Sequence, residues 1–332
     1  MTLRMAQYGT KHGHASGKMK AMQDCADVEV AGIFEPDVER RRAVEGSGPY
    51  AGVRFFDSEE EMLGDSSIEA IASEGLNAES LEQTAKIVAA GKHVWYDKPA
   101  GDDWGRWQQV VAQAKANKVY IQMGYMLRYH DGFSQIAEWA KGGLLGDIYS
   151  VRAHMSTHLT PEGREIIGRS HKGGIFYDLA GHMLDQVVWI LGRPQKTTAF
   201  LRNDSGVVEN FSDNTLGVFE YERAMAWVDI AAMEPRPMAR RFEVYGSIGS
   251  AILVEPFEPG HTIRLCMEEA REGFSQGEQM LSIEGTSRQT TYERELTAFV
   301  GVVCDGDSPD RPVEHELLVQ ETLLRATGYI ED

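Results

Sequence analysis

The first 125 residues alternate short apolar runs with segments of helical periodicity. Pro36 is placed to open a helix, residues 58–61 form a capping-box pattern, and the helical segment 78–90 stops at Gly91. Strands alternating with helices of this length indicate right-handed βαβ units in a parallel sheet with both faces covered. We therefore predict a doubly wound, nucleotide-binding Rossmann architecture. Its predicted strands are residues 3–8, 28–34, 53–56, 68–72, 93–96 and 119–123.

After residue 125 the apolar pattern changes to longer alternating runs, several of them joined by short connections. Such spacing is typical of antiparallel hairpins in a sheet with one face available. The predicted strands are 148–158, 196–201, 215–221, 224–232 and 241–245, and the predicted helices are 131–143, 177–191, 292–304 and 314–325. We predict an α/β protein with a Rossmann domain over residues 1–125. A second α/β domain is expected over residues 126–332, with its last helix placed to pack back on the first domain.

Charge and composition exclude some classes of function. The chain has 332 residues, 33 Lys+Arg and 51 Asp+Glu, for a formal net charge of −18. That charge argues against a partner such as nucleic acid or an anionic membrane surface. The apolar runs are far shorter than the roughly 20 residues that span a bilayer. Three cysteines far apart in sequence, and an N-terminus without the apolar stretch of a signal peptide, predict a cytoplasmic protein.

A glycine-containing loop, Gly9 to Gly17, follows the first predicted strand. Glycines between a strand and a helix allow a pyrophosphate to approach the backbone and sit on the helix N-terminus. The match to G-x-G-x-x-G is imperfect, because Lys11 occupies the second glycine position and the third is displaced to Gly13. A plain tight turn is an equal alternative for this loop taken alone.

Glu35 ends the second predicted strand, where an acid can accept hydrogen bonds from the adenosine ribose. A carboxylate there would repel a 2′-phosphate, so NAD is favoured over NADP. The alternative is that Arg40, Arg41 and Arg42 pair with such a phosphate. We interpret these arginines as a solvated helix face.

Two further clusters carry candidate chemistry. Lys98, between Asp97 and Pro99, follows an apolar strand, and its side chain would enter the crevice where ligands of such sheets bind. An ordinary surface lysine is the competing interpretation. If residues 177–191 are helical, Asp178, His182 and Asp185 share one face, embedded in apolar residues.

Histidine is the natural proton-transfer group near neutral pH, and a carboxylate can orient it. The stripe of Asp178, His182 and Asp185 has two competing interpretations. One is a satisfied polar network, and the other is a metal site completed by His154 or His158. Since those two histidines fall in a strand-like run, we predict no metal.

The order and spacing of these motifs resemble the glucose–fructose oxidoreductase / inositol dehydrogenase / MocA (Gfo/Idh/MocA) family over nearly the whole chain. An acid-Lys-Pro triplet after Gly-Lys-His-Val is matched by residues 91–99. A Gly-Gly pair followed by Asp-x-x-x-His-x-x-Asp is matched by residues 173–185, and residues 124–129 look like the domain junction.

The resemblance implies a Rossmann domain followed by an α/β domain with an open-faced, mostly antiparallel sheet. That sheet commonly packs against another subunit, so a homodimer or homotetramer is expected. It also implies an NAD-dependent oxidoreductase acting on a secondary alcohol of a sugar, cyclitol or related polyol. The catalytic residues carried over are Lys98, Asp178 and His182. The expected cofactor-binding residues are Gly9, Thr10, Lys11, His12, Gly13, Glu35, Lys98 and Arg128, and those facing substrate are Lys98, Tyr125, His154, Tyr177, Asp178 and His182.

Several of these residues have structural alternatives. Tyr177 could belong to the core, Asp185 could hold His182 or cap the next helix, and Arg128 could pair with an acid. The chain also departs from the family pattern at Lys11, whose ammonium could offset pyrophosphate charge. A further departure is residues 73–77, which lack the usual Thr-Pro.

Two other functions are compatible with the same motifs. One is glycoside cleavage through transient oxidation by a retained NAD, and the other is non-catalytic sugar sensing. The intact set of Lys98, Asp178 and His182 argues against sensing, because a binding protein has less reason to keep proton-transfer groups.

Overall fold

The computed structural model describes residues 2–254 and 256–331, with backbone alone at residues 169 and 170. The chain forms two compact units. The first contains the residues up to 125 together with 289–317, and the second contains 126–288 together with the residues from 318 onward. The sequence-based division assigned everything after 125 to the second domain, whereas the structure adds 289–317 to the first unit.

The first unit is built on a five-stranded sheet in which all neighbours are parallel, in the order β2-β1-β3-β4-β5. The strands are β1 (Leu3–Tyr8), β2 (Val28–Phe34), β3 (Ala70–Ser73), β4 (His93–Tyr96) and β5 (Ile121–Met123). The strand predicted at 53–56 is wrong, because Phe55 makes only an isolated parallel bridge to Ile33. That bridge lies on the free edge of β2, where the third strand of a Rossmann sheet belongs.

Helices connect these strands: α1 (Ala15–Asp24), α2 (Val38–Val44), α3 (Glu59–Gly64), α4 (Asn77–Ala89) and α5 (Trp104–Asn117). Pro36 does not open α2, since Asp37 is its N-cap and accepts hydrogen bonds from the backbone N–H groups of residues 39 and 40. Ser58 caps α3 as expected by accepting from the Glu61 N–H. The unit also contains α9 (Arg288–Val300) from residue 289 and the start of α10 (Val313–Ala326).

The second unit contains an eight-stranded sheet in the order β13-β12-β11-β10-β6-β9-β8-β7. Every neighbouring pair is antiparallel except β6 with β9. Its strands are β6 (Ile148–His154), β7 (Lys196–Arg202), β8 (Asn214–Glu220), β9 (Met225–Ala231), β10 (Arg241–Gly246), β11 (Gly249–Leu253), β12 (Thr262–Met267) and β13 (Gly277–Ser282). Its helices are α6 (Asp131–Gly142), α7 (Pro161–Ser170) and α8 (Gly174–Leu191). The sequence patterns did not predict α7.

One face of this sheet is covered and the other is open. Phe176 of α8 packs directly over Gly217, the register partner of Val228, and this face carries the buried apolar residues of β6 and β9. The opposite face carries half-buried polar and aromatic side chains. No helix within the described residues is long and apolar enough to cross a membrane.

Candidate active site

The predicted phosphate loop is a tight turn between β1 and α1. Gly9 has φ +81°, and a Cβ there would lie 2.9 Å from the backbone of Gly75, so only glycine fits. The His12 N–H donates to the Glu74 carbonyl at 3.0 Å and fastens the loop to the end of β3. The first turn of α1 contains no acidic residue, which keeps its positive dipole end available to an anion.

Glu35 lies at the end of β2, as predicted, and is buried against this loop. Its carboxylate accepts from the Thr10 N–H at 2.8 Å and from the Thr10 hydroxyl at 2.7 Å. Arg40 is not part of a solvated helix face, because its guanidinium donates to the Thr10 carbonyl at 2.7 Å and hydroxyl oxygen at 3.1 Å. Arg42 is exposed as expected. The Glu35 carboxylate and the Arg40 guanidinium therefore both bind Thr10.

Lys11 is already paired within the first unit. Its ammonium lies 3.0 Å from Asp37 and 3.2 Å from Glu79. The carboxylates of Asp37 and Glu79 therefore compensate the Lys11 charge, which was expected to offset the charge of a pyrophosphate. A phosphate bound by Lys11 would compete with both carboxylates.

Asp97, directly after β4, is the centre of a buried polar cluster. The Lys18 ammonium lies 3.1 Å from an Asp97 carboxylate oxygen and 3.0 Å from Glu74. His12 and His14 place their Nδ1 atoms 3.2 Å and 3.0 Å from the same Asp97 oxygen. Two acids therefore share one ammonium in a region of low dielectric, where such charges interact strongly.

Burial and neighbouring groups separate the pKa values within this cluster. Burial raises the pKa of Glu74 well above its usual range, and it raises the pKa of Glu295 on α9 to about 8. Burial opposes ionisation of Asp97 too, but the nearby imidazoles and ammonium outweigh it and hold the Asp97 pKa well below its usual range. Burial lowers the pKa of His14 to about 4. At neutral pH, Asp97 is therefore ionised beside Lys18, and His14 and Glu295 are uncharged.

Lys98 is buried at this cluster, with 3% of its surface exposed, and its backbone N–H donates to the Asp97 carboxylate at 2.8 Å. The same carboxylate thus organises the lysine backbone and the loop histidines. Ligand atoms of His12, His14 and Asp97 lie within 4.8 Å of one another, a spacing that a metal ion could bridge. Lys18 already supplies a cation there, so the cluster does not require one.

In the second unit, α8 begins directly at the predicted glycine pair. A Cβ on Gly174, at φ +51°, would lie 2.3 Å from the Ser212 carbonyl oxygen. Glycine therefore allows the helix start to approach that backbone closely. Asp178 follows in the second turn and His182 one turn later, on the same face of the helix. His182 has 1% of its surface exposed, and Asp178 is half-buried.

The third member of the stripe, Asp185, has a structural partner. Its carboxylate lies 2.5 Å from the Arg128 guanidinium, and the other oxygen accepts from Gln186 at 3.0 Å. The Arg128 guanidinium also lies 4.0 Å from the centre of the Trp189 ring. These contacts favour the alternative in which Arg128 pairs with an acid, and they do not support its predicted role at the cofactor.

Two predicted substrate residues are packed in the interior of their units. Tyr177 is fully buried and stacks on the His171 ring at 4.3 Å, which supports the core alternative. Tyr125 ends the first unit, buried, with the Arg311 guanidinium 5.7 Å from the centre of its ring.

His154 is not brought together with His182. In β6 it pairs in register with Asp229, on the sheet face opposite to the one that α8 covers. Its imidazole lies 2.5 Å from Asp229 and 2.9 Å from Glu234, and hydrogen bonding to Asp229 raises the His154 pKa. His154 therefore supports neither a substrate contact beside α8 nor a metal site with it.

Sequence reasoning missed His14, Lys18, Glu74 and Glu295 as members of the cluster around Asp97. A signal existed for the first two, because His14 and Lys18 are four residues apart at the start of a helix that follows the phosphate loop. No spacing pattern indicates Glu295, which lies almost 200 residues further along the chain.

Together these features define a dinucleotide-binding type of Rossmann unit joined to a second unit that carries an Asp–His pair. The tight turn at Gly9, the start of α1 and buried Glu35 fit a dinucleotide. Apart from Gly13 itself and its chain neighbours, no described atom lies within 4 Å of a Cβ built on Gly13, so there is open space beside the loop.

Comparison with known protein families identifies the same two parts of the chain. Residues 5–125 match the oxidoreductase family with an NAD-binding Rossmann fold, and residues 133–252 match the GFO/IDH/MocA C-terminal domain. The chain belongs to the GFO/IDH/MocA family of oxidoreductases, and its first 125 residues contain that family's NAD-binding Rossmann domain.

Similar proteins include the rhizopine catabolism protein MocA of Rhizobium meliloti, 23% identical over 53% of each chain. The chain thus aligns with about half the length of that relative. Inositol 2-dehydrogenase 3 of Saccharopolyspora erythraea is 23% identical over 78% of this chain and 75% of its own. An Agrobacterium radiobacter oxidoreductase, solved with NAD+, L-tartaric acid and magnesium, superposes with a TM-score of 0.83. It shares 15% identity over 99% of this chain and 96% of its own, a likeness of fold alone.

Proposed function

We propose that this protein is an NAD-dependent dehydrogenase or reductase acting on a secondary alcohol carbon of a sugar, cyclitol or related polyol. The observation that carries the proposal is the retention, in a member of this family, of a buried Lys98 after β4 and an Asp–His pair on α8. When bound, the nicotinamide supplies the hydride chemistry. The residues proposed to hold the dinucleotide are Gly9, Thr10, His12, Gly13, Glu35 and Lys98.

His182 is proposed as the proton acceptor for the substrate hydroxyl. Oxidation of an alcohol requires a base within hydrogen-bond reach of its oxygen, and a neutral imidazole meets that need near pH 7. Asp178 lies one turn before His182 on the same helix face and is proposed to orient the imidazole or a substrate hydroxyl.

Lys98 is proposed to stabilise the developing negative charge on the alcohol oxygen. An ammonium in a buried region is effective there because few water dipoles compete with it. The hydrogen bond from the Lys98 backbone N–H to the Asp97 carboxylate holds the backbone of Lys98 in place.

We propose that a second copy of the chain packs on the open face of the second sheet. Large apolar side chains lie exposed on this unit, Phe200 at 56% and Met280 at 55%. Light scattering of the purified chain measures the oligomeric state directly.

We also propose that the protein is cytoplasmic. The three cysteines are all free, as expected for a reducing compartment.

The activity is tested by fluorescence titration with NAD and NADP, followed by a panel of polyols and sugars monitored at the reduced-nicotinamide absorbance band. We expect saturable NAD binding and substrate-dependent reduction. Absence of binding by either cofactor contradicts the proposal. Tightly retained NAD without net NADH would instead indicate transient oxidation.

The choice between NAD and NADP is proposed to rest on Glu35. We expect Glu35→Gln to weaken NAD binding about tenfold, because a neutral amide accepts weaker hydrogen bonds from ribose hydroxyls. NADP binding is expected to change less or to improve, since Arg40 remains beside Thr10. Separate titrations of the two cofactors measure the ratio of their dissociation constants. Glu39→Gln, on the exposed face of α2, is the matched control, and an unchanged ratio in E35Q removes this role.

A further inference from the structure

The second unit contains a cavity of about 810 Å³ that the proposed catalytic residues do not line. Its walls come from Thr157 after β6, the loop after β9, the segment before β12, and residues 286–288 at the start of α9. A volume of this size is typical of sites for small molecules.

Three arginines line this cavity: Arg236, Arg240 and Arg288. Among the described lining residues, Glu258 is the single acid. Its carboxylate bonds the Arg240 guanidinium closely and lies 2.8 Å from that of Arg288. The lining therefore carries an excess of positive charge, in a chain whose net charge is −18.

Arg240 anchors this group from the interior. It has 7% of its surface exposed, and its Nε donates to the Ser156 carbonyl at 3.1 Å. Burial lowers the Arg240 pKa, Glu258 opposes that shift, and the charges of Arg288 and Arg236 add to it. The Glu258 carboxylate pairs with Arg240 and Arg288, so it compensates only part of the positive charge of the three arginines.

Arg236 is the arginine whose charge stays uncompensated. It is exposed, and no hydrogen bond or ion pair connects it to any other described residue. A guanidinium presents several donors in one plane, which matches the oxygens of a carboxylate or phosphate. Hydroxyl groups of Thr157 and Ser287 line the same cavity and suit a ligand with further polar groups.

We propose that this cavity binds a small anionic molecule through its carboxylate or phosphate group, held by Arg236 and Arg288 in a site that the buried Arg240 also lines. The site goes beyond the proposed dehydrogenase function, because its binding requires neither NAD nor turnover. The anion has two possible sources: an acid group of the substrate itself, or a separate effector.

The binding test is calorimetry on the full chain without cofactor, using inorganic phosphate, D-glucuronate and the neutral analogue D-glucose. We expect the two anions to bind in the millimolar range or tighter and glucose to bind at least tenfold more weakly. Arg236→Gln and Arg288→Gln should each weaken anion binding about tenfold, the loss of one charge-assisted contact. Arg223→Gln removes the same charge from the exposed β8–β9 turn and should leave binding unchanged.

Absence of anion binding, or equal affinities in R236Q and R223Q, overturns the proposal. If NAD binding fails but phosphate binding and its loss in R236Q persist, the dehydrogenase function falls and this site stands. Once a substrate is found, the source of the anion is decided by steady-state kinetics. If R236Q raises KM for acidic substrates alone, the bound anion is the acid group of the substrate. If phosphate binding does not compete with substrate, the bound anion is a separate effector.

Discussion

Replacing Lys98 with methionine is expected to lower kcat about 10²- to 10³-fold, while the dissociation constant for NAD changes little. The reason is that methionine keeps most of the buried volume and removes only the ammonium, whose proposed contribution arises as charge develops on the alcohol oxygen. Steady-state kinetics with a turned-over polyol, together with NAD fluorescence titration, separates the two effects.

The matched control for this prediction is Lys115→Met, on the exposed surface of α5 in the same unit, where no catalytic effect is expected. Circular dichroism and thermal unfolding of both variants report whether the fold is kept. Equal losses of NAD affinity and turnover in K98M would mean that Lys98 serves binding rather than the chemical step.

His182→Asn is expected to lower kcat by a similar factor, about 10² to 10⁴, as for other general bases. The variant should also lose the limb of the pH–rate profile that reports the base. His261→Asn, in an exposed loop before β12, is the control. Retention of the same pH dependence in H182N would assign the base to another residue.

Local patterns predicted most strands and helices because hydrophobic periodicity reports which face of an element is buried. Residues 28–34 and 93–96 form the predicted strands with identical bounds. The strand predicted at 53–56 was wrong because Phe55 and Phe56 are buried by packing in the core, with 8% and 1% of their surfaces exposed, and not by pairing in a sheet strand. An apolar run of four residues does not distinguish these cases.

Lys98, Asp178 and His182 were proposed from short local motifs, and their roles stay predictions. Contacts between residues far apart in the chain were missed. The pairing of Asp185 with Arg128, 57 residues away, and the contact of Arg40 with Thr10 could not be read from spacing. Such contacts depend on how the strands and helices are arranged in space, which the order of elements alone does not specify.

The cluster around Asp97 makes the fold sensitive to pH through Glu295. This carboxyl group is fully buried, and burial raises its pKa to about 8, although the charges of Lys18 and Arg311 oppose the rise and that of Asp97 adds to it. In the unfolded chain the group ionises near its ordinary value of 4.5. At pH values between these two pKa values, Glu295 keeps its proton in the folded state and loses it in the unfolded state. Glu295 therefore lowers the stability of the fold progressively as pH rises from about 4.5 to 8.

Glu295→Gln should therefore stabilise the protein at alkaline pH and have little effect at acidic pH. Glutamine has nearly the shape of the protonated acid but cannot ionise, so the advantage of E295Q should be near zero at about pH 4.5 and on the order of 5 kcal/mol at about pH 9. Urea unfolding at several pH values measures it. Glu293→Gln, a half-buried position on the same helix, is expected to show no such trend. If the free-energy difference between E295Q and the parent stays constant with pH, Glu295 does not hold its proton in the fold. A loss of stability in E295Q that grows toward pH 9 would instead mean that the ionised carboxylate pairs with Lys18 in the native state.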